Sequence, residues 1–294
     1  MSAPRFLEPA DGVRRLTPGD VDWPEDLDAL GGERPAGLWA LGDTATFGVR
    51  PRIAIVGTRR ASPYGLRVTR ELATAFARAG ACVVSGLAAG VDSAAHRAAL
   101  ESNGATIGVL GTGLNHVFPR GNRELQRAVA RQGLLLSELE HDEHGMAFTF
   151  PRRNRIIAAL CRLTIVVEAP VRSGALNTAE HARELQRDVA AVPGPIDQPQ
   201  SEGSNLLIRD GAGIITSVED ALALAGLTAP PRTPRVDPDG NEGKVWSALA
   251  DGGLDMDTLC HRSGLPAAQC LVAVTTLELV GAVECALTGA VRRL

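Results

Sequence analysis

From Arg52 onward the chain alternates between short apolar runs and longer amphipathic stretches, and that rhythm limits the possible folds more than any single motif. RIAIVG (52–57) leads through a loop to YGLRVTRELATAFARAG, which has helical spacing and a glycine stop at Gly80. The unit recurs as ACVVSG with VDSAAHRAALESNG, ATIGVLG with NRELQRAVARQG, and LLLSE with RIIAALC. LTIVVEAP with NTAEHARELQRD follows, and then DVAAVPG as a further strand. Apolar strands alternating with amphipathic helices predict an α/β domain of extended Rossmann-like, doubly wound type, with a mostly parallel sheet covered on both faces.

The rest of the chain divides around that domain. Residues 1–45, rich in Pro, Gly and Asp, read as a short N-terminal segment whose one strand-like piece is LWAL (38–41). The Rossmann-like domain spans 46–228, and APPRTPRVDPDGN (229–241) reads as a Pro-rich linker. Residues 242–294 offer three short helices and a hairpin, the pattern of a small winged-helix-like domain. No stretch approaches the roughly 18 uninterrupted apolar residues of a membrane span. The first residues, MSAPRFLEPADGVRR, lack the apolar core of a secretion signal, and the five cysteines form no CxxC pair. These features predict a cytoplasmic protein with reduced, buried thiols and no membrane partner.

Against a net charge of −4, FPRRNR (150–155) concentrates Arg152, Arg153 and Arg155 beside Phe150 and Asn154. In an open parallel sheet, ligands bind beyond the carboxyl ends of the strands. Four Gly-rich loops fall at that edge: GTRRASPYG (57–65), SGLAAGVD (85–92), GTGLN (111–115) and RSGALNTAE (172–180). Gly lets backbone approach an oxygen, hydroxyls add donors, and Arg59 and Arg60 add charge-assisted bonds. The convergence predicts a phosphate-binding surface. The competing reading pairs the FPRRNR arginines with the four carboxylates of SELEHDEH (137–144).

Which phosphate compound binds is narrowed by what is missing. No G-x-G-x-x-G follows the first strong strand, and there is neither a Walker A loop nor a G-x-S-x-G elbow. His141 and His144 stand near acids without a third ligand at metal-site spacing. No cofactor, no metal and no catalytic group are therefore expected. Asp92 reads as a brace for the SGLAAGVD loop, and His96 as either a pocket-shaping or a buried histidine.

At these motifs the chain resembles the DprA/Smf DNA-processing proteins of bacteria. VGTRRASPYG, SGLAAGVDSAAH, GVLGTGLNHVFPRGN, FPRRNRIIAAL, VVEAPVRSGALNTA, AVPG and GSNLLIRDGA follow one another in the order that family keeps. The resemblance implies a non-enzymatic single-stranded DNA-binding protein that forms a homodimer and helps load the RecA recombinase in DNA uptake (natural transformation) and recombination. Carried over by position, its DNA-facing residues would be Gly57, Thr58, Arg59, Arg60, Ser85, Gly86, Phe150, Arg152, Arg153, Asn154, Arg155, Ser173 and Gly174. The chain departs from the family at Asn177, where an apolar residue is usual, at Asn115 (usually Asp) and at Phe118 (usually Tyr). Its N-terminal segment is also shorter than the small helical domain many members carry.

Physics points the same way, since sequence-tolerant strand binding needs a basic groove and an aromatic platform. With aromatic residues at 3%, binding should lean on phosphates and be strongly salt-sensitive. The C-terminal module has four basic against six acidic residues from Asn241 to Leu294, which argues against duplex reading. A rival reading is a nucleotide N-glycoside hydrolase of the lysine-decarboxylase-like type, with Glu180 of SGALNTAEHA as its acid. A transcription regulator is a third.

Overall fold

The chain enters its main sheet from the edge. β1 (Arg14–Leu16) pairs antiparallel with β2 (Leu38–Gly42), so the N-terminal segment supplies two edge strands. The alternating core follows: β3 (Arg52–Val56), α1 (Pro63–Arg78), β4 (Cys82–Ser85), α2 (Val91–Glu101), β5 (Thr106–Leu110), α3 (Arg123–Gln132), β6 (Leu134–Ser137), α4 (Thr149–Leu160), β7 (Leu163–Val166), α5 (Gly174–Glu184), β8 (Asp188–Ala191), α6 (Pro199–Arg209), β9 (Gly213–Ile214) and α7 (Val218–Leu224). The computed structural model describes residues 12–228, 239–250, 252–279, 282–286 and 289–293. Residues 229–238, most of the Pro-rich stretch, lie outside them.

The nine strands run β1-β2-β6-β5-β4-β3-β7-β8-β9, and every pair from β6 to β9 is parallel. From β3 the chain steps outward through β4, β5 and β6, then returns to lay β7 on the other side of β3. That reversal opens a crevice at the carboxyl ends of β3 and β7, the position where doubly wound sheets bind ligands. The expected α/β architecture is the one observed.

Alternation within each strand feeds two apolar layers. Ile53 and Ile55 of β3 face Leu72 and Phe76 of α1, Val91 and Ala95 of α2, and Ala221 and Leu222 of α7. Ala54 and Val56 face the opposite layer, with Ile156 and Leu160 of α4, Ala179 of α5, and Trp23 and Leu27 of the N-terminal segment. The buried Arg52 guanidinium fastens that segment: it donates to Leu160 O (2.6 Å) and Phe47 O (2.7 Å) and pairs with Asp26. Burial would raise the Asp26 carboxyl, but Arg50 and Arg52 outweigh it and hold the group below the usual range.

His96 of α2 is wholly buried, with Nδ1 2.8 Å from Thr106 Oγ1 of β5. Burial, with the charge of Arg153 behind it, pushes His96 down to about 3. Cys82, Cys161 and Cys270 are buried as expected, and burial lifts Cys82 to about 12. Cys260 is half-buried. Cys285 departs from the expectation, because it sits exposed at the end of a hairpin strand.

A second unit begins at Ala229. In it α8 (Asn241–Ala248), α9 (Met256–Ser263) and α10 (Ala267–Leu279) enclose Val245, Leu259, Val274 and Leu277. A three-stranded antiparallel sheet, ordered β10 (Leu254–Asp255), β12 (Ala290–Arg293) and β11 (Val283–Cys285), completes the predicted winged helix.

Two outcomes follow for stability. Asp26→Ala strands the Arg52 charge in the interior and should cost on the order of 3 kcal/mol in urea unfolding. His96 binds a proton in the unfolded chain below its ordinary value of 6.5 but not in the folded one until about 3. Stability should therefore fall as pH drops through that window, by about 1.4 kcal/mol per unit. His96→Gln should flatten the slope in pH-dependent denaturation curves.

Candidate functional site

Four stretches of chain converge at the crevice and line a cavity of about 610 Å³. The loop after β3 supplies Gly57, Thr58, Arg59 and Arg60. Ala88 comes from the connection between β4 and α2, and Asp92 from the first turn of α2. Phe150, Pro151, Arg153 and Asn154 come from the first turns of α4, and Pro170, Arg172, Ser173 and Gly174 from the approach to α5. Gly57, Thr58, Arg59, Arg60, Phe150, Arg153, Asn154, Ser173 and Gly174 are thus brought together as the sequence suggested.

The other predicted residues are placed elsewhere. Ser85 is fully buried and donates to Ile55 O (2.7 Å). Gly86 lies beneath Arg153, whose guanidinium a Cβ there would strike. Arg155 is buried on Glu138, bonded to both carboxylate oxygens at 3.0 and 2.8 Å, and also donates to Glu33 O (2.9 Å). Arg152 reaches the same carboxylate at 3.0 Å. Of the FPRRNR arginines, only Arg153 lines the cavity, while the other two pair with an acid of SELEHDEH. The GTGLN loop also stays outside: Gly111 packs under the Phe150 ring.

Arg153 forms the floor. It donates to Gly86 O (2.8 Å), Val109 O and Asn154 Oδ1 (3.2 Å). Burial lowers it to about 10, which leaves it cationic at neutral pH. Asp92 accepts from Gly86 N (3.1 Å) and Ala88 N (3.4 Å), the bracing role its position suggested. Burial pushes its carboxyl up, against the opposing pull of Arg153.

The rim is different in kind. Arg59, Arg60 and Arg172 are exposed, and among the described residues no carboxylate pairs with any of them. The Arg59 guanidinium sits 5.6 Å from the ring centre of Phe150 and 5.8 Å from that of Phe118, and the two rings are 5.0 Å apart. Phe118 is 47% exposed. Ser173 caps α5 by accepting from Ala175 N, so the positive end of that helix faces the cavity. Three cations, two aromatic faces and a helix terminus suit a phosphodiester with its bases.

Two of these residues were not among the predicted contacts. Arg172 opens the quoted RSGALNTAE, and its charge next to a helix start was the available signal. Phe118 lies far from FPRRNR in sequence, so nothing linear joins their rings. Glu168, on the segment after β7, is also revealing. Its buried carboxylate accepts from Ser62 N (2.9 Å) and Ser62 Oγ (2.5 Å) at the start of α1, and it packs on Gly65. Thr58 N also bonds to Glu168 O (2.7 Å). The first loop thus spends its backbone donors inside the protein and offers arginine side chains outward.

Glu180, the acid of the hydrolase reading, is exposed and is not part of this cavity's lining. The described residues also contain no cluster of His, Cys, Asp and Glu fit for a metal.

Comparison with known proteins agrees with this architecture. A family model described as DNA recombination-mediator protein A matches residues 14–226, and one for the DprA winged helix domain matches 229–286. A relative from Mycobacterium tuberculosis is 40% identical over 293 residues, covering 93% of this chain and 75% of its own. The X-ray structure of DNA processing protein A from Streptococcus pneumoniae is similar at 40% identity and a TM-score of 0.69, over 72% of this chain and 74% of that one. That of DNA processing protein A from Helicobacter pylori, described for its single-stranded DNA binding mode, shares 32% identity at a TM-score of 0.66, over 72% of this chain and 94% of that one. The chain belongs to the DprA/Smf family of DNA-processing proteins.

Proposed function

We propose that the chain binds single-stranded DNA in the crevice between β3 and β7 and acts by holding the strand rather than transforming it. The observation that carries this reading is the set of exposed guanidiniums of Arg59, Arg60 and Arg172, which no carboxylate pairs among the described residues, with Arg59 over the Phe118–Phe150 pair, in a chain of net charge −4. Arginines supply a sequence-independent hold on phosphates, and the rings take bases in any order. The binding mode for which the Helicobacter pylori relative is described supports the same ligand.

The position of Glu168 supports the absence of a nucleotide cofactor. A dinucleotide of the ordinary Rossmann type rests its pyrophosphate at the first helix N-terminus. Here a carboxylate lies there. The exposure of Glu180 weighs against the hydrolase reading.

Family resemblance extends the proposal to a homodimer that hands the strand to RecA in DNA uptake and recombination. Two linked crevices would hold a longer strand by avidity. Among the described residues no helix is long and apolar enough to cross a membrane. The winged helix is read as a protein-contacting module. Its α10 carries no Arg or Lys and exposes Leu271, Val272 and Leu279, while Arg292 pairs with Glu284 and Arg293 stacks on Trp246.

Fluorescence anisotropy across a salt series tests the reading. Single-stranded oligomers should bind tightly and lose affinity steeply with salt, and duplex should bind much more weakly. Arg59→Ala and Arg60→Ala should each flatten the log–log salt slope by about 0.7, the value of one phosphate contact on a single strand. Phe118→Ala should cost about 1–3 kcal/mol, one stacked base. Equal affinity for duplex, or nucleotide turnover that disappears in Glu180→Gln, would overturn the proposal.

A further inference from the structure

The α4 arginines that miss the first cavity line a second one, of about 440 Å³. Gly32, Glu33 and Arg34 form one wall, Pro151, Arg152 and Arg155 another, and Asn177 and His181 of α5 the third. Pro151 borders both cavities. Asn154 of the first donates to Asn177 Oδ1 of the second at 3.1 Å. The two spaces are therefore neighbours along α4, with a single proline between them.

The charges here are paired, though not equally firmly. Arg155 is buried on Glu138 and has no freedom to meet a ligand. Arg152 shares that carboxylate but is 57% exposed, and Arg34 pairs with Asp28 at 39% and 52% exposure. The exposed Arg34–Asp28 pair holds by only about 0–1 kcal/mol, and Glu138, itself 17% exposed, keeps Arg155 when Arg152 turns to a phosphate. Glu33 also lies on the wall, and Glu184 accepts from His181 Nδ1 at 3.1 Å. Asn177 Nδ2 and His181 Nε2 are 3.4 Å apart, and together they present donor and acceptor groups of the sort that meet a base edge.

We propose that this second cavity is a further subsite for the same strand. A nucleotide running on past Pro151 lays its phosphate against Arg34 and Arg152 and turns its base toward Asn177 and His181. The inference rests on the strand-binding reading of the first cavity. It also gives Asn177, where this chain departs from its family, a part in recognition.

Oligothymidylates of two lengths separate the two ideas: about three nucleotides, enough for one cavity, and about twelve, enough for both. Both would be titrated by anisotropy against the wild-type chain, Arg34→Ala and His181→Ala, with thermal melting to verify folding. Wild type should bind both lengths. Each variant should weaken the long oligomer about five-fold and leave the short one unchanged, and Arg34→Ala should lower the salt slope for the long oligomer alone. Variants that leave both lengths unchanged, or weaken both equally, overturn the subsite while the first cavity stands. Wild type that binds neither length overturns the strand-binding reading, and the subsite with it.

Discussion

The candidate site depends on one guanidinium that solvent hardly reaches. Arg153 leaves the first turns of α4 and donates to the carbonyls that follow β4 and end β5, so one side chain joins three elements at the sheet's carboxyl edge. Gly86 is gripped at both ends, its carbonyl by Arg153 and its N–H by Asp92. A charge buried this deeply is tolerated because its Nε and Nη1 meet three acceptors and the Asp92 carboxyl lies close by. The result is a stiff floor that fixes the spacing of the exposed arginines above it. Pre-organisation of that kind removes part of the ordering cost that binding would otherwise incur.

Much of this was legible in the sequence. Strand and helix periods gave the sheet, and the general rule for open parallel sheets pointed to its carboxyl edge, where the cavity lies. What linear reading blurred was the direction of side chains on α4. Arg152 and Arg155 are three apart and share a helix face, whereas Arg153 points about 100° away from Arg152. A cluster of three arginines therefore splits into two that meet Glu138 and one that meets the cavity. The two readings of FPRRNR thus divide between residues: Arg152 and Arg155 take the acid pairing, and Arg153 alone of the three reaches the first cavity.

The glycines answer to a further constraint that linear reading did not separate out. They were expected to let backbone approach a phosphate, yet Gly57, Gly65 and Gly86 are small because other parts of the protein press on them: Val91, Glu168 and Arg153 in turn. No local pattern distinguishes a glycine cleared for a ligand from one cleared for a neighbouring loop. The N-terminal segment was hard to place for the same cause. Its link to β3 runs through Asp26 and Arg52, and its second strand pairs with β6, almost a hundred positions further along the chain by the numbering.

The Glu168 carboxylate at the start of α1 has one more consequence. Cells hold free nucleotides in large excess over single-stranded DNA ends, and a Rossmann-type domain with an open helix terminus would be loaded with them. Here the seat for a diffusible phosphate is taken by the chain's own side chain, and the Cβ that Gly65 lacks would collide with that occupant. A small phosphate would be left with the α5 terminus and the guanidiniums on the rim. A polymer can engage several of them at once. If the crevice holds a strand, as proposed, its preference for long anions over their monomers begins with this one internal carboxylate.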